Sequence, residues 1–328
     1  MFQYIARRLL IMIPTLIVVS IVSFVLIQLP PGDFLTSYAS TLAQQGEGVD
    51  NAQLIALKEA YGLDQPVYVQ YWKWISRIIF HGDFGQSLEW KQPVSSLLWQ
   101  RMGATLALTV STLIFTWLLA IPIGVFSATH QYSKSDYFFT FIGFIGLSVP
   151  SFMIALVFLW VAFRYLGQDV GGLYSPAYRS APWSVGKVIN LLEHFWIPLV
   201  IVGLEGTAAL IRTMRANLLD EINKPYVTAA RARGLTERRL IWEYPVRVAL
   251  NPFVSTAGFS LPGLISGATI IGIVLSLPMH GPLFLRALQS QDMYLAGAYI
   301  LLLSTLTVVG VLLSDIALAW LDPRIRYT

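Results

Sequence analysis

Six apolar stretches, each close to the length that a helix needs to cross a lipid bilayer, constrain this chain more than any other feature of its sequence. A transmembrane helix needs about 20 predominantly apolar residues. Such stretches occupy residues 9–29, 103–128, 137–163, 196–211, 253–277 and 296–320. The fourth is the weakest, because Glu205 interrupts it. We therefore predict an all-α integral membrane protein with about six transmembrane helices, forming a single domain over residues 1–328.

The composition supports an apolar solvent for this chain. Hydrophobic residues make up 55% of it and charged residues only 12%, whereas about a quarter of the residues in an average soluble domain are charged. There is no cysteine, which excludes disulfides and thiolate metal sites. The net charge of +4 is small and scattered along the chain, so it does not indicate a nucleic-acid partner.

The first apolar stretch allows a second interpretation, because the basic residues Arg7 and Arg8 precede it as they would in a signal peptide. Its length of about 20 residues exceeds the apolar core of a typical signal peptide. It ends in Pro30-Pro31-Gly32-Asp33 rather than in an A-x-A cleavage site. We predict a retained first helix.

The distribution of charge predicts the orientation of the chain. If the N-terminus is cytoplasmic, the cytoplasmic segments hold 13 of the 22 Lys and Arg residues, eight of them in residues 212–252. The outside segments hold nine, although they are much longer, and they contain ten of the 18 acidic residues. Cytoplasmic loops carry the excess of Lys and Arg. Both termini are therefore predicted to be cytoplasmic, with residues 30–101 forming a long outside segment.

The cytoplasmic segment 212–252 has the signals of two short helices joined by a turn. Pro225 suits the first turn of a helix, and Gly234 suits the left-handed position that follows its end. Thr236 is a suitable N-cap for a second helix, with Glu237 in its first turn.

This loop has the features of a docking element for another protein. Small side chains at Ala229 and Ala230 permit close approach of a partner, and long basic side chains are able to reach carboxylates on that partner; these are Arg231, Arg233, Arg238 and Arg239. The charge alone is equally well explained by a cytoplasmic loop without a binding role.

A resemblance to a known family favours the docking role. Thr228-Ala229-Ala230 followed by Gly234 resembles the coupling motif E-A-A-x-x-x-G of ABC importer permeases, with Thr228 in place of glutamate. The hydrophobic-Pro pair of that motif is not at its usual spacing, and the chain has Tyr244-Pro245 and Asn251-Pro252 instead. Four other segments resemble permeases of the dipeptide/oligopeptide family, namely residues 7–10, 61–71, 82–87 and 321–326.

The resemblance implies a fold similar to type I ABC importer permeases and a role as half of a translocation pathway in the bacterial inner membrane. It implies three kinds of partner: a homologous second permease in a heterodimer, two ATP-binding subunits and a periplasmic solute-binding protein. The residues expected to contact the ATP-binding subunit are Thr228, Ala229, Ala230, Arg231, Arg233 and Gly234.

The chain has no Gly-x-x-x-x-Gly-Lys-[Ser/Thr] phosphate loop, so ATP and Mg²⁺ are expected on the partner subunits. Neither a cofactor nor an enzymatic activity of its own is expected. The expected solute is an oligopeptide, with an oligosaccharide or an opine-like solute as the alternative. A secondary transporter driven by an ion gradient is the alternative class, although neither a repeat nor paired intramembrane charges support it.

Several residues within the predicted spans keep two interpretations. Glu205 either has a functional role, lining the path of the solute or binding a cationic group, or a structural one, making a hydrogen bond or lying close to an interface. Asp315 is interpreted as structural. Glycines in the fifth span allow close packing either within the chain or against a second permease; they are Gly258, Gly263, Gly267 and Gly272. Aromatic residues after the first span serve either as interfacial anchors or as partner contacts; they are Tyr68, Tyr71, Trp72 and Trp74.

Overall fold

The computed structural model describes residues 2–28, 65–87, 89–167, 171–290 and 292–321. Within these ranges the chain is almost entirely helical, and a single bridge between Gln86 and Pro93 is the only β-type pairing. The all-α fold class is confirmed. Residues 61–64 of the segment 61–71 lie outside the described residues, as does most of the C-terminal segment 321–326.

Thirteen α-helices are numbered here in chain order over the described residues. They are α1 (Phe2–Gln28), α2 (Val67–His81), α3 (Val94–Thr129), α4 (Lys134–Ser148), α5 (Ser151–Val161), α6 (Pro176–Arg179), α7 (Val185–Ile222), α8 (Pro225–Ala232), α9 (Glu237–Glu243), α10 (Pro245–Ala249), α11 (Asn251–Val274), α12 (His280–Gln289) and α13 (Met293–Leu321). A π-helical segment, Ala162–Leu166, continues α5.

Five of these helices are long and apolar enough to cross a membrane: α1, α3, α7, α11 and α13. They correspond to five of the six predicted spans. The 38 residues of α7 give a length of roughly 57 Å at 1.5 Å per residue. Because the hydrocarbon core is only about 30 Å thick, α7 extends well beyond the predicted span 196–211, and its C-terminal part leads into the basic loop.

The third predicted span, residues 137–163, is not one continuous helix. Helix α4 ends at Ser148 and α5 begins at Ser151, with Pro150 between them in an extended conformation. Proline lacks the N–H that would continue the helical ladder, and it disfavours helical geometry in the residue before it. Four other prolines within predicted spans lie inside continuous helices: Pro14, Pro122, Pro198 and Pro262.

The chain divides into two compact units, and the first contains residues Met1–Gly103 and Met279–Val308. Here α2 packs against α1. The Tyr71 hydroxyl lies 2.7 Å from the Ser20 hydroxyl, and Phe24 contacts the rings of Tyr71 and Trp74. Trp74 is buried, whereas Tyr68 and Trp72 are exposed. The aromatic residues after the first span thus divide between packing on α1 and an exposed face.

Two buried polar contacts tie the connecting segments of the first unit to its helices. Asp292 is fully buried and accepts hydrogen bonds from the Ser87 hydroxyl at 2.5 Å and from the Leu295 amide at 3.3 Å. His280 at the start of α12 is also buried, and its Nε2 lies 2.8 Å from the carbonyl oxygen of Leu98. These contacts satisfy polar groups that would be costly to bury unpaired.

The second unit contains residues Ala104–Pro278 and Val309–Thr328, and α7 is its central helix. Helices α4, α5, α10 and α11 pack on α7. Two backbones approach closely at Gly258 of α11, where an added Cβ would lie 2.3 Å from the carbonyl carbon of Gly310 in α13. The Gly258 amide also donates a hydrogen bond to the Ser314 hydroxyl at 2.7 Å.

Candidate coupling loop between α7 and α11

The loop that the sequence predicted as a helix–turn–helix contains three short helices, α8, α9 and α10. Pro225 occupies the first turn of α8, and Gly234 follows its end with a φ of +81°. Thr236 is at the N-cap position of α9 with Glu237 in the first turn, although the threonine hydroxyl caps no backbone amide. The predicted turn is therefore present, and its positive φ accounts for glycine at position 234.

A small hydrophobic core holds α8 against α9. Val227, Ala230 and Leu240 are buried, and Leu235 and Tyr244 pack around them. This arrangement corrects the expectation that Ala229 and Ala230 are both open to a partner: Ala230 faces the core of the loop. Residues separated by three or four positions share one face of a helix, so Ala230 lies with Val227, while Thr228 and Ala229 are exposed.

The arginines of the loop fall into two groups. Arg231 donates two hydrogen bonds to Glu237, at 2.6 and 3.2 Å, and Arg239 donates one to Glu243 at 2.8 Å. Within the described ranges, Arg233 and Arg238 are exposed and have no acidic partner. The charge of Arg231 is thus paired within the loop although its side chain remains exposed, and its contact with a partner stays a prediction. In the α8–α9 pair and its turn, the exposed cations without an acidic partner in the described ranges are therefore Arg233 and Arg238, and Arg247 of α10 is a third such cation in the loop.

The pairing of Arg231 and Glu237 shifts the titration of both groups. The hydrogen bond and charge of Arg231 lower the pKa of Glu237, and those of Glu237 raise the pKa of Arg231. A lowered carboxyl pKa contributes stability above the ordinary pKa of glutamate, and this contribution is lost as the pH falls through the shifted value. Both side chains are in solvent, so the contribution to stability is small.

The loop is rooted in the long helices on both sides of it. At its start, Glu221 accepts hydrogen bonds from Lys224 at 2.5 Å and from the Tyr226 hydroxyl at 2.7 Å. At its end, Val246 and Ala249 of α10 join a buried cluster with residues of α3, α7 and α11; the cluster includes Ala120, Val125, Met214, Leu218 and Phe253. Helix α10 thus joins the loop to three apolar helices through buried apolar contacts.

A buried ion pair attaches the short loop between α3 and α4 to α7. Asp136 accepts hydrogen bonds from the Tyr132 amide and from Nη2 of Arg215, both at 3.0 Å. Its side chain is 4% exposed, while that of Arg215 is 28% exposed. The sequence reasoning missed this pair, which joins positions 79 residues apart. The signal available in the sequence was an acidic residue at the very start of an apolar helix.

Glu205 lies on an exposed face of α7. Residues 205, 209, 212, 216 and 220 follow one another at helical spacing, and all five are exposed. No hydrogen bond or ion pair joins Glu205 to any other described residue. The structural hydrogen bond considered for Glu205 is therefore absent from the described part of the chain, and its carboxylate is open to solvent or to a partner.

Two family profiles together match nearly the whole chain. The profile of the family described as "Binding-protein-dependent transport system inner membrane component" matches residues 120–327, which include the whole α7–α11 loop. The profile of the corresponding N-terminal domain matches residues 1–109. The chain belongs to this family. The resemblance to permeases of the dipeptide/oligopeptide type is confirmed.

Relatives of this permease align over its entire length and over theirs. An oligopeptide transport system permease protein, AppB of Bacillus subtilis, is 35% identical. A dipeptide transport system permease protein, DppB of Alkalihalophilus pseudofirmus, and a glutathione transport system permease protein, GsiC of Salmonella paratyphi A, are each 29% identical. The similarity therefore includes the α8–α9 loop as well as the long apolar helices.

No metal centre competes with the transport role in the described ranges, where no group of three or more His, Asp or Glu residues is arranged to hold an ion. The loop between α7 and α11 offers exposed cations, and the apolar part of α7 offers the exposed carboxylate of Glu205.

Replacing Leu240 with alanine is expected to loosen the α8–α9 pair. A buried Leu→Ala change costs about 2–5 kcal/mol in a protein core, and the small cluster around Leu240 has few other contacts to compensate. Hydrogen exchange of the purified permease should accelerate over residues 225–243. Trp242→Ala on the same helix is the matched control, because Trp242 is 45% exposed. Equal exchange in the two variants would contradict this core.

Proposed function

We propose that this permease forms half of the translocation pathway of an ABC importer and that α8 and α9 dock on an ATP-binding subunit. The observation that carries the proposal is the pair of exposed cations, Arg233 and Arg238, beside Thr228 and Ala229 on a helical pair rooted in α3, α7 and α11. A rigid element with unpaired charges suits a protein partner, because positions of complementary charge give specificity.

The partner subunits supply the energy in this proposal. Two ATP-binding subunits hydrolyse ATP with Mg²⁺, a homologous second permease completes the pathway as a heterodimer, and a solute-binding protein delivers the solute from the periplasm. Both termini and the α8–α9 pair lie on the cytoplasmic side, as the excess of Lys and Arg indicates. Contacts made only after nucleotide binding would then move α7 and α11 through the buried cluster at their ends.

The proposed solute is an oligopeptide. The names of the AppB and DppB relatives support this class, since they refer to oligopeptide and dipeptide transport. The GsiC relative is named for glutathione, itself a short peptide. An oligosaccharide or an opine-like solute is the alternative. Measuring which solutes the associated binding protein retains, by calorimetry with a peptide library and an oligosaccharide series, separates the two.

The docking proposal predicts that reversing the charges of Arg233 and Arg238 uncouples ATP hydrolysis from solute uptake. The double variant Arg233→Glu/Arg238→Glu should reduce solute-stimulated ATP hydrolysis and uptake in proteoliposomes at least tenfold. Each charge reversal removes an attraction and adds a repulsion, together exceeding the roughly 1.4 kcal/mol that corresponds to a factor of ten. Co-purification with the ATP-binding subunits should weaken in parallel.

Arg164→Glu is the matched control for this experiment. Arg164 is exposed and lies in the π-helical segment after α5, outside the α8–α9 pair. Reversing the charge of Arg164 should leave the association of the permease with the ATP-binding subunits unchanged. Full association and transport in the double variant would sink the docking proposal. Uptake by the permease alone, without ATP, would instead favour a secondary transporter.

Glu205 is proposed to line the solute path. Its carboxylate is exposed in the middle of α7 and has no partner in the described residues, and ionisable residues within membrane spans usually face a cavity or a partner. Glu205→Gln should lower uptake while ATPase co-purification stays normal, because the residue is remote in sequence from the loop. Glu205→Asp should retain more uptake than the glutamine variant. Normal uptake in both variants would remove Glu205 from the path.

A further inference from the structure

An open apolar groove lies between the end of α3 and the beginning of α4. It has a volume of about 670 Å³, and aromatic and aliphatic side chains form its walls, namely Pro122, Ile123, Phe126, Phe138 and Phe139. The volume is within the range of about 300–1,000 Å³ that is typical of small-molecule sites. The walls pack on one another, since the rings of Phe126 and Phe139 meet edge to face with centroids 6.1 Å apart.

Two polar residues, called here the cationic rim, line this groove together with the apolar side chains. Lys134 and Ser135 line it at the first residues of α4, and both side chains are exposed. The ammonium group of Lys134 has no acidic partner within the described ranges. The nearby carboxylate of Asp136 is buried and already bonded to Arg215. The rim thus places a positive charge and a hydroxyl beside the apolar walls of the groove.

The position of the groove along the helices indicates what kind of molecule meets it. The groove lies where the apolar stretches 103–128 and 137–163 approach the short loop between them. Apolar surface continues from it along α4, where Phe138 is 57% and Phe141 63% exposed. A surface that changes from exposed aromatic rings to a free cation over one helical turn matches the boundary between acyl chains and headgroups.

We propose that this groove binds an anionic phospholipid, with an acyl chain between the aromatic walls and the phosphate beside Lys134 and Ser135. The apolar walls account for the chain and the rim accounts for the charge. The imidazole of His130 stacks on Phe126 with ring centroids 4.5 Å apart, so a second polar group stands next to the same wall. The next residue of α4, Asp136, is bonded to Arg215 of α7, the helix that leads into the α8–α9 loop.

The test uses the permease purified with its partner subunits and titrated with phosphatidylglycerol or phosphatidylcholine of identical chains, read by native mass spectrometry. Wild type should retain phosphatidylglycerol in preference to phosphatidylcholine. Lys134→Glu should lower phosphatidylglycerol retention about fivefold or more, the factor that corresponds to losing one cation near an anionic leaflet. Lys134→Arg should keep it.

A second pair of variants tests the apolar walls. Ile123→Trp should fill the groove and reduce the retention of phosphatidylglycerol, whereas Ile114→Trp should not, because Ile114 is exposed earlier on α3 and does not line the groove. Equal retention of both lipids, unaffected by Lys134→Glu and Ile123→Trp, would overturn the proposal. Loss of a partner subunit from Ile123→Trp with lipid retention unchanged would overturn it as well, since the groove would then be a protein interface.

Discussion

Replacing Gly258 with leucine is expected to abolish folded permease, because no space exists for a side chain at this position. An added Cβ would lie 2.3 Å from the carbonyl carbon of Gly310 and from the amide nitrogen of Val311. Both are backbone atoms, so a rotamer change cannot relieve the overlap, and α11 and α13 must separate. Overpacking alone costs about 1–3 kcal/mol, and separation would also break the hydrogen bond from the Gly258 amide to Ser314.

The same helix provides a matched control for this prediction. No atom lies within 4 Å of a Cβ added at Gly263 or Gly267, so Gly263→Leu should melt close to wild type in detergent. Monodispersity by size-exclusion chromatography and the thermal midpoint are the measurements. A monodisperse Gly258→Leu variant with an unchanged midpoint would show that α11 and α13 do not approach as described. Gly258→Ala should fall between the two, because it adds a single methyl group.

The two interpretations of the glycines in the fifth span show what a sequence can and cannot predict. Their spacing fits close packing within the chain and packing against a second permease equally well. In the structure Gly258 is used within the chain, while Gly263 and Gly267 face open space. Which face of α11 meets α13 depends on tertiary packing, and no local pattern encodes that choice.

Local signals predicted the α8–α9 turn well, because the residues that form it lie next to one another. Pro at the first turn and Gly after the last one specify the helix ends through their own backbone preferences. The pairing of Arg231 with Glu237 was not predicted. The two residues are six positions apart, which is not a helical neighbour spacing, and only the reversal of the chain at Gly234 brings them together.

The third predicted span differs in form from the single helix that the sequence suggested. Its hydrophobicity predicted that residues 137–163 cross the membrane, and a proline inside an apolar helix indicates a kink. A kink and a full break differ in whether the residues around the proline remain helical, which depends on the packing around them. Here Ser148 ends α4 and Ser151 starts α5. Hydropathy measures the solvent preference of a segment and carries no information on whether that segment forms one continuous helix.

The Asp136–Arg215 pair should be the most costly polar contact to break in the second unit. Asp136→Ala would leave the guanidinium of Arg215 half-enclosed without its partner and the Tyr132 amide without an acceptor. Breaking a buried pair by removing one partner costs about 3–5 kcal/mol, and the 28% exposure of Arg215 places this case toward the lower value. Thermal melting of the permease should show a clear decrease in midpoint.

A double variant distinguishes the ion pair from simple loss of a side chain. Asp136→Ala/Arg215→Met should recover much of the lost stability, because an apolar replacement no longer leaves a charge without a partner. Arg215→Met alone should be destabilising, since it leaves the buried carboxylate of Asp136 without its cation. If the double variant were as unstable as the sum of the single variants, the two residues would not be coupled.

The pH dependence of the wild type follows from the same pair. Burial by itself raises the pKa of Asp136, but the hydrogen bond from Arg215, the Tyr132 amide and the Arg215 charge together hold this pKa below its ordinary value. A carboxyl whose pKa is lowered in the folded state stabilises it above the ordinary value, and this stability is lost as the pH falls through the shifted value. The melting midpoint of the wild type should therefore fall more steeply below about pH 4 than that of Asp136→Asn, which cannot titrate. Parallel acid profiles for the two proteins would mean that the charge of Asp136 contributes nothing to the attachment of this loop to α7.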